Sequence, residues 1–176
     1  MSRRLTIGLV AILVVAVAAY WFGFRQKTVE ADVQVPQLVA SIGEGEEAVG
    51  VAGNGAVVRW LPPPEDPPLP RLPLDEVPEG GRVRCTAMEQ VRVLAAAHED
   101  LRPYVESSYF GESGVDVTLT TGVEVRFGDA TQAARKWRAA VAIIADPYVT
   151  ALDYVNVQAP SRASYGGSEH ELPPAP

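Results

Sequence analysis

The chain has 176 residues, a formal net charge of -7, one cysteine and two histidines. An acidic balance of that size argues against a nucleic-acid partner, whose phosphates bind clustered Lys and Arg. A lone Cys85 excludes an intramolecular disulfide and any multi-cysteine metal or iron–sulfur centre, so no cofactor and no metal are expected and stability must come from packing.

Arg3 and Arg4 sit in a four-residue leader, after which Leu5 to Phe24 is apolar apart from Thr6, Gly8 and Gly23. As a helix this run would span about 30 Å, the hydrocarbon thickness of a bilayer. Tyr20, Trp21, Phe22 and Phe24 crowd its far end, where amphipathic rings favour the headgroup level. Arg25 and Lys27 nearly balance the leading arginines, so charge alone does not fix orientation. Arg3 and Arg4 are the only charges in residues 1–24, which leaves -9 on the rest of the chain. A minimal leader before an acid-rich, strand-patterned remainder favours the amino terminus inside and the domain outside. Ala16-Val17-Ala18 has the form of a signal-peptide cleavage site, but the run outlasts an h-region of about 7 to 15 residues. The expected organisation is a short cytoplasmic leader at 1–4, a single transmembrane helix at 5–24, a linker at 25–35, one extracytoplasmic domain at 36–160 and a disordered tail at 161–176.

The domain begins as a β-meander: Gln37 to Ile42, Ala48 to Val51 and Ala56 to Trp60 are short Val- and Ile-bearing runs punctuated by glycines. Asn54-Gly55 tolerates positive φ at low cost and predicts a tight turn between the last two. Leu61 to Pro78 holds so many prolines that helix and central strand are both disfavoured, and a loop is expected. Pro67-Pro68-Leu69-Pro70-Arg71 has the outline of a polyproline ligand, but an extracytoplasmic loop is the wrong place for the usual readers.

Thr86 and Glu89 have the spacing of a capping box, followed by Val91, Leu94, Ala95, His98 and Leu101 at helical intervals, so a helix is expected up to Pro103. His98 falls on the apolar stripe and is read as a partly buried, hydrogen-bonded imidazole rather than a ligand or base. Tyr104 to Phe110 is a predicted strand. Val115, Val117 and Leu119 alternate with Asp116, Thr118 and Thr120; after Thr121-Gly122, Val123, Val125 and Phe127 alternate with Glu124, Arg126 and Gly128, which predicts a hairpin with one buried face. Asp129 and Gln132 suggest a second cap, with Ala133, Trp137, Ala140, Val141 and Ile144 as the apolar stripe of a helix ending at Pro147. Arg135, Lys136 and Arg138 are read as a solvated outer face. Leu152 to Gln158 is the closing strand, with apolar side chains on both faces. The expected fold class is therefore α+β: an N-terminal transmembrane helix, then one mixed or antiparallel sheet packed with two helices.

The stretch Val117-Thr118-Leu119 to Val123-Glu124-Val125-Arg126-Phe127-Gly128-Asp129, then Lys136, then Leu152-Asp153-Tyr154-Val155-Asn156-Val157 and Pro160, resembles the β-domain of the bacterial cell-division family FtsQ/DivIB, as does the order of elements over residues 36–160. The family also carries a small POTRA domain between anchor and β-domain, and residues 25–35 leave no room for one. The resemblance implies a non-enzymatic bitopic scaffold of the divisome, resident in the plasma membrane at the septum, that binds small coiled-coil membrane partners of the FtsB and FtsL kind. It further implies that the last strand and the helix before it form the binding surface, with Asp153, Tyr154, Val155, Asn156 and Val157 offering an edge and Lys136 nearby. An unpaired terminal strand suits that role, because a partner strand completes its backbone hydrogen bonds. Where some relatives place an arginine in this strand to pair with a partner's glutamate, this chain has Tyr154, Val155 and Asn156.

Two alternatives compete. An exported hydrolase would need a nucleophile or metal beside a base, and no Gly-x-Ser-x-Gly, His-Glu-x-x-His or Ser-x-x-Lys pattern is present; a carboxylate pair drawn from Asp116, Glu124 or Asp129 is the remaining route. An unrelated anchored binding module of envelope assembly or secretion would use the same β-edge on a different partner.

Overall fold

A computed structural model describes residues 35–172. The glycine-punctuated meander pairs into an antiparallel three-stranded sheet of β1 (Leu38–Ile42), β2 (Val49–Ala52) and β3 (Val57–Val58). Between β2 and β3 the Asn54-Gly55 turn closes as expected: the Ala56 N–H donates to Asn54 Oδ1 (2.9 Å) and the Gly55 N–H to the Ala52 carbonyl (2.8 Å). The second sheet has five strands in chain order: β4 (Val105–Gly111), β5 (Gly114–Leu119), β6 (Glu124–Gly128), β7 (Ala151–Asn156) and β8 (Ser164–Glu171). All neighbours are antiparallel except β6 and β7, which run parallel on either side of a helical crossover.

The expectation of one sheet behind a membrane helix is corrected. The fold is α+β with two sheets, and among the described residues no helix is long and apolar enough to cross a membrane. The apolar run 5–24, with its leader and most of the linker, lies outside the described residues. The seam between the sheets is closed by the proline-rich segment, which is more than a loop: Arg71 makes single parallel bridges to Ser41 of β1 and Ser107 of β4. The Ser41 N–H donates to the Pro70 carbonyl (3.0 Å) and the Leu72 N–H to the Ser41 carbonyl (2.9 Å), while the Leu72 side chain is fully buried. Proline lacks a donor, but the residues between prolines keep theirs, and one such residue suffices to stitch two edges.

Two helices cover one side. Helix α1 (Cys85–Ala95) buries Ala87, Gln90, Val91, Val93 and Leu94, and α2 (Ala133–Ile144) buries Ala133, Lys136, Trp137 and Ala140. Trp137 packs on Phe127 of β6 (centroids 4.8 Å apart, planes at 59°) and donates its indole N–H to the Val93 carbonyl of α1 (2.8 Å). Fully buried Phe127, Ile42, Leu72 and Leu152 anchor the core, each contributing about 1.5–3 kcal/mol relative to exposure.

Neither predicted cap forms. Arg84 and Gln132 occupy the N-cap positions and cap with no side-chain hydrogen bond. Glu89 instead reaches across to accept from the Ala130 N–H (3.1 Å) and Arg92 (2.7 Å), and Asp129 turns on itself to accept from the Thr131 N–H (3.1 Å). Nor does α1 run on to Pro103. It ends at Ala95, and Glu99–Tyr104 form a separate 3-10 segment containing Pro103. His98, expected to be partly buried on an apolar stripe, is exposed at the head of that segment and faces Asp100, Nδ1 to Oδ2 3.1 Å.

The last correction concerns the tail. The sequence predicts a disordered tail at 161–176, yet Ser164–Glu171 is β8, paired antiparallel along β7 after a 3-10 turn at Pro160–Arg162.

Candidate functional site

Two adjacent rows of side chains cross the sheet on the side away from the helices. One runs Tyr109, Asp116, Arg126, Asn156, Ser164 from β4 to β8; the next runs Ser107, Thr118, Glu124, Tyr154, Gly166. The period-two alternation that puts Val117, Val125 and Phe127 into the core places these residues on the opposite face. Their polar groups interlock. The Tyr109 hydroxyl donates across a strand to Glu124 Oε2 (2.8 Å), Arg126 Nε donates to Glu124 Oε1 (2.6 Å), and the Arg126 guanidinium lies 4.2 Å from the Tyr154 ring centroid. A cation at that distance is attracted by the ring quadrupole.

Asp116 is the exception in this network. It is only 6% exposed and its Oδ1 has no hydrogen-bond partner among the described residues. Burial, and then the Glu124 charge beside it, push its carboxyl above the usual carboxylate range. Burial acts on Glu124 in the same direction, but hydrogen bonds from Arg126 and Tyr109 outweigh it and hold that carboxyl below its ordinary value. Burial and the bond to Glu124 drive the Tyr109 phenol up, so it stays a donor.

The residues expected to bind a partner fall into three groups. Lys136 is 2% exposed, and its ammonium donates to the Phe127 and Asp129 carbonyls (2.9 Å each) and to Asp129 Oδ1 (2.6 Å), so it joins α2 to the end of β6 rather than facing outward. Val155 and Val157 are fully buried core residues. Asp153, Tyr154 and Asn156 are half-buried and locally engaged: Asp153 Oδ1 accepts from the Glu169 N–H (2.6 Å) and Asn156 Oδ1 from the Gln158 N–H (3.1 Å). β7 is not an edge. It lies between β6 and β8, and both of its backbone flanks are filled.

The edge has moved one strand along, to β8, which among the described residues has a neighbour on one side only. Its docking depends on close approach. At Gly167, φ is +88° and a Cβ would fall 1.9 Å from Asp153 Cγ, so only glycine lets the chain pass. The His170 ring lies over Gly122 in the β5–β6 turn, where an added Cβ would meet it at 2.6 Å. Tyr165, Gly166, Gly167 and His170 are the site residues that sequence reasoning missed. The available signal was Tyr165 as a lone aromatic just after the Pro160 turn; Gly166-Gly167 reads as linker unless the approach to Asp153 is known. No protein-family model and no curated protein matches the chain.

Proposed function

We propose that this domain is a non-enzymatic docking scaffold that captures a strand from a partner along the outer edge of β8. The observation that carries the reading is that β8 is a long strand, flanked by β7 alone, in a sheet whose far side is seamed by Arg71. A β-edge of this kind supplies affinity through backbone hydrogen bonds and selectivity through the side chains beside it. The same reading places the described domain on the extracytoplasmic side of the plasma membrane. The resemblance over Val117–Asp129 and Leu152–Pro160 supports the division machinery as its setting, with small coiled-coil membrane proteins of the FtsB and FtsL kind as partners at the septum. The experiment is co-purification of the tagged full chain from membranes combined with imaging of a fluorescent fusion in dividing cells. A small coiled-coil membrane protein in the eluate and a mid-cell band are expected; an even envelope signal with no such protein recovered contradicts the division reading.

A further inference from the structure

Asp116 is a buried acceptor with an opening beside it. On the sheet face away from the helices it stands between Tyr109 of β4 and Arg126 of β6, 6% exposed, with Oδ1 unpartnered among the described residues. Arg126 is committed elsewhere: its Nε donates to Glu124 and its guanidinium lies against the Tyr154 ring. The Tyr109 hydroxyl also donates to Glu124. Two carboxylates on this face therefore share one cation, and the buried one keeps an oxygen without a donor, which carries its full desolvation cost.

The opening is at Gly111, the last residue of β4. A Cβ built there would meet Tyr109 Cε2 at 3.4 Å and Asp116 Oδ2 at 3.6 Å, so the bare glycine leaves a notch walled by a ring and floored by a carboxylate oxygen. A group that suits it is small at its tip, positive and a hydrogen-bond donor. A metal ion is the poorer match, because Ca²⁺ takes about six to eight oxygens, and among the described residues no three His, Cys, Asp or Glu side chains gather to hold one. A primary ammonium puts three donors on a compact charge, and its methylene stem packs on the ring carbon.

We infer that Asp116, Tyr109 and Gly111 form a binding site for a primary ammonium on an unbranched alkyl stem, with Asp116 as counter-ion and Gly111 as the residue that admits it. The site lies on β4 and β5 and does not depend on β8 being a docking edge. Binding needs the ionised carboxyl, which burial and the Glu124 charge disfavour, so affinity rises with pH through the Asp116 titration. Of the groups around it, Arg126 and Glu124 hold each other charged and the Tyr109 phenol is held protonated, so Asp116 itself sets this dependence.

The test is an NMR titration of the full chain, kept in a neutral detergent, with propylammonium chloride. Sodium chloride and tetramethylammonium chloride at equal concentration supply cations without N–H donors. Propylammonium is expected to shift the Gly111 and Asp116 amides saturably at about millimolar concentration and to lower the pH at which the Asp116 carboxyl carbon titrates. Its affinity is expected to fall about tenfold or more in Asp116→Asn, which loses the counter-ion. The same loss is expected in Gly111→Ala, whose methyl fits at ordinary contact distance and fills the notch; unchanged amide shifts in α1 and α2 show that both variants are folded. N-acetyllysine methylamide carries the same ammonium on a peptide: binding about tenfold tighter than propylammonium supports a protein side chain as its source, and equal binding a free amine. Equal shifts with sodium or tetramethylammonium mean an adventitious ion only and overturn the site. So does the absence of any saturable shift, or a propylammonium response that survives both substitutions.

Discussion

Lys136 and Asp129 form a clasp between α2 and the end of β6: Nζ donates to Asp129 Oδ1 at 2.6 Å while its other protons go to the Phe127 and Asp129 carbonyls. The lysine side chain is 3% exposed and the aspartate 62%, so the two partners are unequal. Lys136→Met keeps the stem and strands the buried Phe127 carbonyl, which is expected to cost about 1–3 kcal/mol in a urea melt. Asp129→Asn keeps an amide oxygen that can still accept from Lys136 and loses only the charge of a largely exposed group, so it is expected to cost less. Equal losses for the two variants would show that the ion pair, rather than the buried carbonyl, sets the stability.

Asp116 gives the fold a pH dependence of the opposite sign to that of most paired carboxylates. Its folded pKa is raised above the ordinary 3.8, so between that value and the raised one the native state holds a proton that the unfolded chain releases, and stability falls as pH rises through this window. Asp116→Asn removes the burdened charge and is expected to raise stability by about 1 kcal/mol at neutral pH. The gain should fade as pH drops below the unfolded carboxyl value. Thermal melts of both proteins across that range check it, and a gain that stays constant with pH contradicts the account.

Trp137 is expected to separate hydrogen bonding from packing. Trp137→Phe keeps a ring against Phe127 and loses the bond to the Val93 carbonyl, for about 1 kcal/mol. Trp137→Ala opens the space between α1, α2 and β6 and is expected to cost about 3–5 kcal/mol. Denaturant melts of the two variants measure the difference; equal losses would mean that the indole N–H is the whole of its role.

Local patterning made most elements legible and left their assembly hidden. The alternation around Val117 and Val125, and the apolar stripe from Ala133 to Ile144, announce a hairpin and a helix because each buries one face by periodicity alone. The caps do not form because both carboxylates have side-on partners instead: Glu89 accepts from the Ala130 N–H outside its helix, and Asp129 from the Lys136 ammonium rather than from a backbone N–H of α2. Lys136 reads as solvated from the sequence because helical charges usually are; the two carbonyls that make its burial tolerable belong to Phe127 and Asp129, and their direction is a tertiary fact. The join between the two sheets runs through one residue, Arg71, which lies between prolines. Strand β8 carries no such signal, because Ser164 to Glu171 is polar and glycine-bearing and its pairing depends on Asp153 and on the space above Gly122 rather than on any apolar face of its own.

Gly167 tests whether β8 is a docked strand in solution. At φ +88° with Asp153 Cγ 1.9 Å from the Cβ position, Gly167→Ala cannot keep the native approach. Amides at 164–171 are expected to lose about tenfold or more of their hydrogen-exchange protection, whereas those of α1 and α2 keep theirs, because an edge strand opens without the core. Unchanged exchange at 164–171 in the variant would mean that the tail is not held by this pairing.

The most direct measurement places a photo-cross-linking residue at Tyr165, on the open rim of β8, and in parallel at exposed Arg92 on α1, in cells carrying the full chain. The account predicts a light-dependent adduct with a small membrane protein from position 165 and none from position 92. Adducts from position 92 alone, or none from either, would contradict capture of a partner along β8.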